Sequence, residues 1–543
     1  MDRPGRRRGA TLLAGAALVA ALLLVSGDER ADPRTPPGLP GMPPPFLGAA
    51  VLGDGELTAA VDAYGNVVDL RAGPAGGALI DNPLERQAAG TVPASTGIVP
   101  LARIGGAALP MWRADAVRQR YLPGTNVLRT VARFGRVRVE IEQAARGRTL
   151  AVLVESDDAA VRIHVNADLG CEQLRGSRET ALVCRAEIPP AGADGRDRTY
   201  LFPVCGKKCV CSEAHLLIDE AAALDRRWLG RSRPLSRTAP AWAERMYERS
   251  LLVLRALTDR RTGAVAAGAR DGWAYVWPRD AGTAALALAA AGYRAEAERV
   301  ARLLLGLDLE GSARFHGDGS PVPGRPAQGD AIGWVAAAAR AGGAIGSARH
   351  AARILSSTYP VPWRGRADYW ESGSGDFLAD AIASGVPGER IEEEFGAAGG
   401  LGREAGGHGG LDSAAAWAVR PFPRPSLFGS ARRTLLRLVD DAGPYGLLPG
   451  EGWSGGEDPW SAPTAWTAWS LAALANEQAD PARARADRRT ALRLLAALRR
   501  SATPAGALPE RVDARTGIPA STTPLAWPHA FAILALRELW PPR

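Results

Sequence analysis

The segment Trp273-Ala274-Tyr275-Val276-Trp277-Pro278-Arg279-Asp280 stands immediately before an apolar stretch with helical spacing, residues 281–291. Asp280 can be interpreted as the N-cap of that predicted helix. A cap does not explain why two tryptophans, a tyrosine and an arginine precede it. Sugar sites need this mixture, because a sugar ring stacks on an aromatic face and its hydroxyl groups bind planar charged partners.

Residues after Pro240 carry apolar side chains at helical spacing. The segments with this pattern are 242–258, 281–291, 294–305, 332–341, 348–355, 431–439, 465–475, 482–498 and 530–539. Gly- and Pro-rich loops separate them, and we predict no strands between them. So many short helices exceed a single bundle. A ring of helical hairpins, an (α/α)6 toroid, accommodates them.

The pattern from residue 46 to about residue 223 instead predicts β-structure. Residues 137–141 and 161–165 alternate between apolar and polar side chains, and Gly53-Asp54-Gly55 is a turn signal. Many short strands at this spacing are typical of a β-sandwich. The predicted fold is therefore multidomain, with an all-β sandwich over residues 46–235 followed by an all-α toroid over residues 236–543.

The N-terminus has the order of an export signal. Arg3, Arg6, Arg7 and Arg8 precede an apolar run from Ala10 to Val25. This run is shorter than the about 20 residues that span a bilayer. Residues 1–27 are therefore predicted to be a signal peptide or an N-terminal membrane anchor, and residues 28–45 a Pro-rich linker. Either alternative exports the rest of the chain, secreted or anchored to the outer face of the cell membrane.

The composition is that of a soluble globular protein, with 46% hydrophobic and 23% charged residues. The net charge of +8 comes from arginines spread along the chain, without a nucleic-acid motif, so no nucleic-acid partner is predicted. The five cysteines are Cys171, Cys184, Cys205, Cys209 and Cys211. In an exported chain they favour one or two local disulfides. A zinc site with His215 as fourth ligand is the alternative, although the spacing is unusual for zinc.

Three further loops of the helical half are rich in Trp, Asp, Glu and Arg. They are residues 324–330, residues 368–373, and residues 508–513 with the following 524–530. In the second, Glu371 lies beside Trp370 in a Gly-rich loop, a setting suited to a general acid. Each loop taken alone is equally consistent with a turn, a helix cap or a solvated carboxylate. His529, near a predicted helix start, is interpreted as structural.

Together, and in this order, these loops resemble glycoside hydrolase family 15 in its prokaryotic form, which includes glucoamylase-like, glucodextranase and trehalase-like enzymes. The family's Trp-x-Arg-Asp signature is similar to residues 277–280, and its Asp-x-Trp-Glu acid loop to residues 368–371. Its base loop and following Leu-x-Trp segment are similar to residues 508–530. Its Arg-Pro-Gln-x-Asp segment is similar to residues 325–330, with Ala327 inserted. Weaker matches lie at residues 411–413 and 455–460, and the N-terminal half resembles the sandwich of prokaryotic members.

The resemblance implies an inverting, exo-acting hydrolase that releases glucose from α-linked glucosides or glucans. Glu371 would be the general acid and Glu510 the general base, with carboxyl groups roughly 6.5–9.5 Å apart. The substrate-binding residues that it implies are Trp277, Arg279, Asp280, Gln328, Asp330, Trp370, Trp460 and Trp527. It implies neither a metal nor another cofactor. The partner would be a carbohydrate: an α-glucan, an oligosaccharide or a trehalose-like disaccharide.

The sequence departs from the family's pattern at three places. Ser372 stands where many members have a second charged residue, and Arg511 stands where Gln is common. Residues 371–412 are short and Gly-rich, which suggests a trimmed loop or helix pair. These departures leave the leaving-group sugar open. Another toroid enzyme, such as a trehalase, and an inactive membrane-tethered sugar-binding protein are the alternatives. A binding protein needs neither carboxylate, which favours the hydrolase.

Overall fold

The computed structural model describes residues 38–80, 97–166, 171–175, 178–185, 209–270, 272–343 and 377–542. The strands of the N-terminal region are β1 (Gly48–Gly53), β2 (Leu57–Asp62), β3 (Val67–Ala72), β4 (Ala78–Ile80), β5 (Gly97–Ile104), β6 (Ala107–Pro110), β7 (Ala116–Tyr121), β8 (Leu128–Phe134), β9 (Val137–Arg146), β10 (Thr149–Ser156), β11 (Ala160–Asn166), β12 (Cys171–Arg175) and β13 (Glu179–Arg185). A 3-10 turn, Met111–Arg113, lies between β6 and β7.

These strands form two antiparallel sheets. One has the order β1-β2-β3-β5-β11, with β4 on β3 and β6 on β5, and the other has the order β12-β13-β10-β9-β8-β7. Alternate residues of β7 are buried, as a strand with one solvated face requires. Val61 and Ile98 of the first sheet share one apolar core with Ile141 and Val152 of the second. The two sheets therefore pack face to face.

The rest of the chain is mainly helical. Its helices are α1 (Cys209–Leu229), α2 (Ala241–Leu257), α3 (Pro278–Ala290), α4 (Arg294–Leu305), α5 (Ala331–Ala341), α6 (Leu378–Ala383), α7 (Gly388–Phe395), α8 (Phe428–Asp440), α9 (Ser461–Glu477), α10 (Pro481–Ser501) and α11 (Ala526–Leu539). Short 3-10 helices are Ala405–Gly407, Ser413–Ala418 and Pro425–Leu427. An N-terminal β-sheet region followed by a helical domain agrees with the predicted order. The helix predicted over 348–355 lies outside the described residues.

Helix α1 corrects the predicted extent of the β-structure. We expected the β pattern to continue to about residue 223, but residues 209–229 are helical. The buried residues Ala214, Leu217, Ile218 and Ala221 have the i, i+3, i+4, i+7 spacing of one helix face. They share a core with apolar residues of β9, β10 and β13. The helix thus covers the outer face of the second sheet.

A small sheet corrects the expectation that no strands lie between the helices. It has the strands β14 (Gly396–Ala397), β15 (Gly400–Glu404) and β16 (His408–Leu411), paired antiparallel in this order. Glycines with positive φ, including Gly399 at 97° and Gly406 at 79°, form its turns. The part of the predicted trimmed segment that is described therefore contains α6, α7 and this sheet.

Six elements of the helical half contact one another in a closed order. Helix α3 packs against α5, α5 against α6, and α6 against the 3-10 helix Ser413–Ala418. That 3-10 helix packs against α9, α9 against α11, and α11 against α3. Each of the helices α2, α4, α8 and α10 packs against at least one member of this ring. The buried apolar residues of these elements form one continuous core.

The sheet region is joined to the helical half through α2. The side-chain amide of Asn126, which follows β7, donates to the carbonyl of Leu252 at 2.9 Å. Arg249 of α2 donates to Asn126 Oδ1 at 2.8 Å, and its guanidinium lies 3.5 Å from the ring centre of Tyr121. Farther along, Arg270 donates to the carbonyl of Phe46 at 3.0 Å and is buried. The sheet region thereby supports the loop that leads into α3.

Candidate active site

The starts of four helices and the loops before them carry most of the predicted site residues that the structure describes. Trp277, Asp330, Trp460 and Leu525 are the residues immediately before α3, α5, α9 and α11. Backbone hydrogen bonds join these loops. Ser461 N–H donates to the Glu510 carbonyl at 2.9 Å, and Ala526 N–H donates to the Ala267 carbonyl at 2.7 Å. Positions far apart in sequence are therefore held side by side.

Arg279 is the centre of a buried polar cluster. Its Nη1 donates to Asp330 Oδ2 at 2.9 Å and to Gln328 Oε1 at 3.2 Å. The guanidinium carbon lies 4.6 Å from the ring centre of Trp527, within cation–π range. All four side chains are buried. The structure thus brings together residues from three loops that the sequence analysis treated as one site.

Asp280 lies close to the start of the same helix but does not cap it. The sequence predicts Asp280 as the N-cap, whereas α3 begins at Pro278 and Trp277 is its N-cap residue. Proline is favoured at the first helical position because its missing N–H would have had no partner there. Asp280 therefore lies in the first turn of α3. Its side chain does not cap the helix there.

Burial determines the charge state of Asp280. Loss of solvation on burial raises the pKa of Asp280 to about 7, while the neighbouring Arg279 opposes this rise. The negative charges of Glu510 and Asp330 raise the pKa further. Asp280 is consequently close enough to Glu510 for their charges to interact. Near neutral pH Asp280 is partly protonated, whereas an exposed aspartate would be fully ionised.

This raised pKa predicts a pH-dependent stability. In the unfolded chain Asp280 loses its proton near pH 4, and in the folded chain only near pH 7. Folding retains the proton in this window, so the contribution of Asp280 to stability is full below pH 4 and declines as the pH rises to about 7. We expect Asp280→Asn, which does not titrate, to lose less thermal stability than the wild type between pH 4 and pH 8. Thermal melts across this range measure the difference.

The matched control for this experiment is Asp441→Asn, because Asp441 is exposed. Its profile should parallel that of the wild type. If the profile of Asp280→Asn also runs parallel to the wild type, the raised pKa of Asp280 is wrong.

Glu510 is half-buried, and two side chains donate to its carboxylate. The indole Nε1–H of Trp273 donates to Oε1 at 3.3 Å, and the Ser521 hydroxyl donates to Oε2. Donors to both oxygens fix the orientation of the carboxylate. An oriented carboxylate that is still partly open to solvent can accept a proton from a water molecule.

Neither of these two donors was predicted as a site residue from the sequence. Trp273 lies within the segment 273–280, and its distance of four residues from Trp277 was the available signal. Ser521 had no such signal, because a serine in a loop rich in Ser and Thr is unremarkable. Asp380, in the first turn of α6, was also missed. It is buried, and its Oδ2 lies 2.5 Å from where a Cβ on Gly329 would stand, so a side chain at position 329 would force Asp380 to shift.

The predicted aromatic residues of this region differ in how deeply they are buried. Trp277 and Trp527 are buried, whereas Trp460 is half-buried. Trp460 meets Trp453 edge to face with ring centres 5.7 Å apart. Arg403 lies 5.8 Å from the ring centre of Trp453 and pairs with Asp412 at 2.9 Å, in one of the two weaker sequence matches. Trp453 and Arg403 are further residues that the sequence analysis did not assign.

His529 has the structural role that was expected. It is fully buried, and burial lowers its pKa to about 3. Its Nε2 accepts from the Leu508 N–H at 2.9 Å, so the proton of the neutral ring is on Nδ1, which lies 2.9 Å from Ser250 Oγ. His529 therefore fixes the loop that contains Glu510 to the start of α11.

Several predicted residues lie outside the described part of the chain. Glu371 and Trp370 fall within residues 344–376, and Cys205 falls within residues 186–208. Cys184 is disulfide-bonded, and the backbone of Cys171 is paired directly opposite it across β12 and β13. The side chains of Cys171, Cys209 and Cys211 are likewise outside the description, so the pairing stays a prediction. His215, the fourth ligand in the zinc alternative, lies 3.5 Å from Glu179.

A family model identifies the first part of the helical half. Residues 241–306, which contain α2, α3 and α4, match the model of Glycosyl hydrolases family 15. The resemblance to glycoside hydrolase family 15 is confirmed. The predicted enzyme class, a glucoamylase-like glycoside hydrolase, is confirmed with it. Among curated proteins, none matches the chain.

One solved structure matches this chain over almost its whole length, and others match part of it. A bacterial glucoamylase, solved in complex with acarbose, matches with a TM-score of 0.63 at 13% identity, covering 93% of this chain and 95% of that one. This chain therefore has the glucoamylase fold over almost its whole length. A structure described as wild-type glycosidase matches with a TM-score of 0.44 at 20% identity over 58% of this chain and 98% of that one. The glucoamylase of Saccharomycopsis fibuligera matches with a TM-score of 0.44 at 14% identity, over 56% and 96%.

Proposed function

We propose that this glucoamylase-like hydrolase is an inverting, exo-acting enzyme that releases glucose from the ends of α-linked glucosides or glucans. The observation that carries the proposal is the position of Glu510. Its partly open carboxylate, oriented by Trp273 and Ser521, lies beside the buried cluster of Arg279 and Asp280. This combination offers a base and a polar clamp for sugar hydroxyls.

In the proposed reaction, Glu510 accepts a proton from a water molecule as the water oxygen attacks the anomeric carbon. Glu371 gives its proton to the glycosidic oxygen as the bond between that oxygen and the anomeric carbon breaks. Attack from the face opposite the leaving group turns an α-linkage into β-glucose. Arg279, Asp280 and Asp330 would bind hydroxyl groups of the terminal glucose unit, and Trp277, Trp460, Trp527 and Trp370 would shape the pocket.

The overall architecture that we propose for the helical half is the (α/α)6 toroid. Six elements in closed contact, α3, α5, α6, the 3-10 helix Ser413–Ala418, α9 and α11, support it as an inner ring. Helices α2, α4, α7, α8 and α10 each precede one of those elements in the chain, as the outer members of hairpins would. The site residues cluster at the N-terminal ends of α3, α5, α9 and α11.

Export remains part of the proposal. Residues 1–27 would be a signal peptide or membrane anchor, residues 28–45 the linker, residues 46–235 the β-sandwich domain and residues 236–543 the catalytic domain. Of the helices in the described part of the chain, none has the length and apolarity to cross a membrane. The predicted N-terminal segment lies before the first described residue, Gly38.

The test is the release of glucose by the full chain from maltotriose, isomaltose, starch and trehalose. We expect release from at least one α-linked substrate, one glucose at a time, with β-glucose appearing first when the product is followed by NMR before mutarotation. Release from trehalose alone would favour the trehalase-like alternative, and α-glucose as first product would contradict inversion. Folded protein without activity on any of the four would favour the sugar-binding alternative.

A further inference from the structure

A groove of about 690 Å³ lies on the sheet region, and none of the candidate active-site residues lines it. Its wall is formed by β7 and β8 with Met42 and Pro504. Apolar atoms dominate this wall, although Arg118, Arg120 and Arg133 stand along it. An apolar groove edged by arginines is an amphipathic surface.

The three arginines form a row on one face. Arg118 and Arg120 alternate along β7 with buried neighbours, and Arg133 stands on β8 opposite Ala116. Arg118 and Arg120 are about 7 Å apart, since residues two apart on a strand point to the same face. Arg133 is a diagonal cross-strand neighbour of Arg118, about 7–8 Å away. All three side chains are exposed, and their guanidinium groups make neither an ion pair nor a hydrogen bond within the described part of the chain.

The neighbouring cations on the same sheet are neutralised. Arg129 of β8 pairs with Glu140 at 2.8 Å and with Glu142, and Arg138 of β9 pairs with Glu140. The acidic residues of β9 are therefore already paired, with Arg129 of the adjacent strand and with Arg138 of β9 itself. The sheet leaves three positive charges uncompensated only along the groove, as far as the described residues extend.

The groove also lies beside the point where the chain enters the described structure. Met42, which lines it, is four residues after Gly38. The apolar run of residues 10–25 precedes Gly38 by twelve residues, 26–37, which span at most about 40 Å. If residues 1–27 are kept as an anchor, the groove cannot move far from the membrane surface.

We propose that this groove docks on the anionic headgroups of a phospholipid membrane. The arginines would bind lipid phosphates, while the apolar wall would accept the upper part of the lipid chains. This inference does not depend on the hydrolase activity, but it rests on the anchor alternative for residues 1–27. Docking would hold the enzyme in one orientation on the membrane.

The test is flotation of the full chain with vesicles of phosphatidylcholine and with vesicles that also contain phosphatidylglycerol. We divide the binding constant for the vesicles that contain phosphatidylglycerol by that for the phosphatidylcholine vesicles. In this ratio the contribution of the apolar run, residues 10–25, to membrane binding cancels. Arg3, Arg6, Arg7 and Arg8 are the same in every variant, so differences between variants report the groove. We expect the triple variant Arg118→Gln, Arg120→Gln and Arg133→Gln to lower the ratio by about fivefold per arginine, and the effect to vanish at high salt.

The matched control replaces Arg485, Arg489 and Arg493 by Gln. These exposed arginines form an i, i+4, i+8 row on α10 and make no ion pair within the described residues, so the loss of charge is the same. The control should keep the ratio of the wild type. Equal losses in both triple variants would show that only net charge matters and would overturn the proposal, as would no loss in either. Loss of binding to soluble polyphosphate with an unchanged vesicle ratio would assign the groove to a polymer instead.

Discussion

Glu510→Gln is expected to lower the turnover of the best substrate by about 10³-fold while leaving the fold intact. Loss of a general base costs typically 10²–10⁴-fold, because the attacking water must then lose its proton to solvent. Glutamine has the same shape as glutamate, and its amide can still bond to Trp273 and Ser521. The defect should therefore appear in kcat, with KM and the melting temperature close to those of the wild type.

The control for this variant is Glu393→Gln. Glu393 is an exposed carboxylate of α7, outside the segments that carry the candidate site and without a hydrogen bond from a described side chain. It should keep turnover within about twofold of the wild type, as surface changes away from a site usually do. If Glu510→Gln retains a tenth of wild-type turnover or more, another group is the base.

Arg279→Met is expected to destabilise the protein by about 3–5 kcal/mol and to remove most activity. The change leaves the carboxylate of Asp330 fully buried without the guanidinium that donates to it, and an uncompensated buried charge costs this much. It also removes the planar donor that would bind sugar hydroxyls. Urea unfolding gives the stability, and kcat/KM for glucose release gives the activity.

The double variant Arg279→Met with Asp330→Asn separates these two effects. It removes both charges, so part of the lost stability should return, as a thermodynamic cycle would show. Activity should not return, since the guanidinium is still missing. A double variant no more stable than Arg279→Met would mean that the ion pair is not what stabilises this region. Recovery of activity would mean that Arg279 acts only on stability.

The sequence could predict this cluster because its members occur in loops with a recognisable order. Arg279 and Asp330 are 51 residues apart, and only the resemblance to a family suggested that they meet. The strands were predictable where one sheet face is solvated, as in β7, because alternation is then visible. Helix α1 was not predicted, because its apolar stripe falls in a region in which earlier segments alternate between apolar and polar residues.

Other features depended on packing that no local pattern records. Helix α3 begins at Pro278, two residues before Asp280. A capping residue and a carboxylate in the first turn of a helix look alike in sequence. Ser521 reaches Glu510 only because the loop folds back, with Glu510 N–H bonded to the Thr522 carbonyl at 3.0 Å. The acid loop around Glu371 and the cysteine pairing stay predictions.

The contact between the sheet region and α2 limits how this enzyme can be engineered. Arg249 is half-buried between the two parts, and its partners Asn126 and Tyr121 belong to the sheet region. A fragment that contains only the helical half would expose the apolar residues around Arg249. It would also leave Arg270 without its hydrogen bond to the carbonyl of Phe46. The two parts are therefore not exchangeable modules: transplanting the helical half onto another protein would require its sheet partner to be transferred with it.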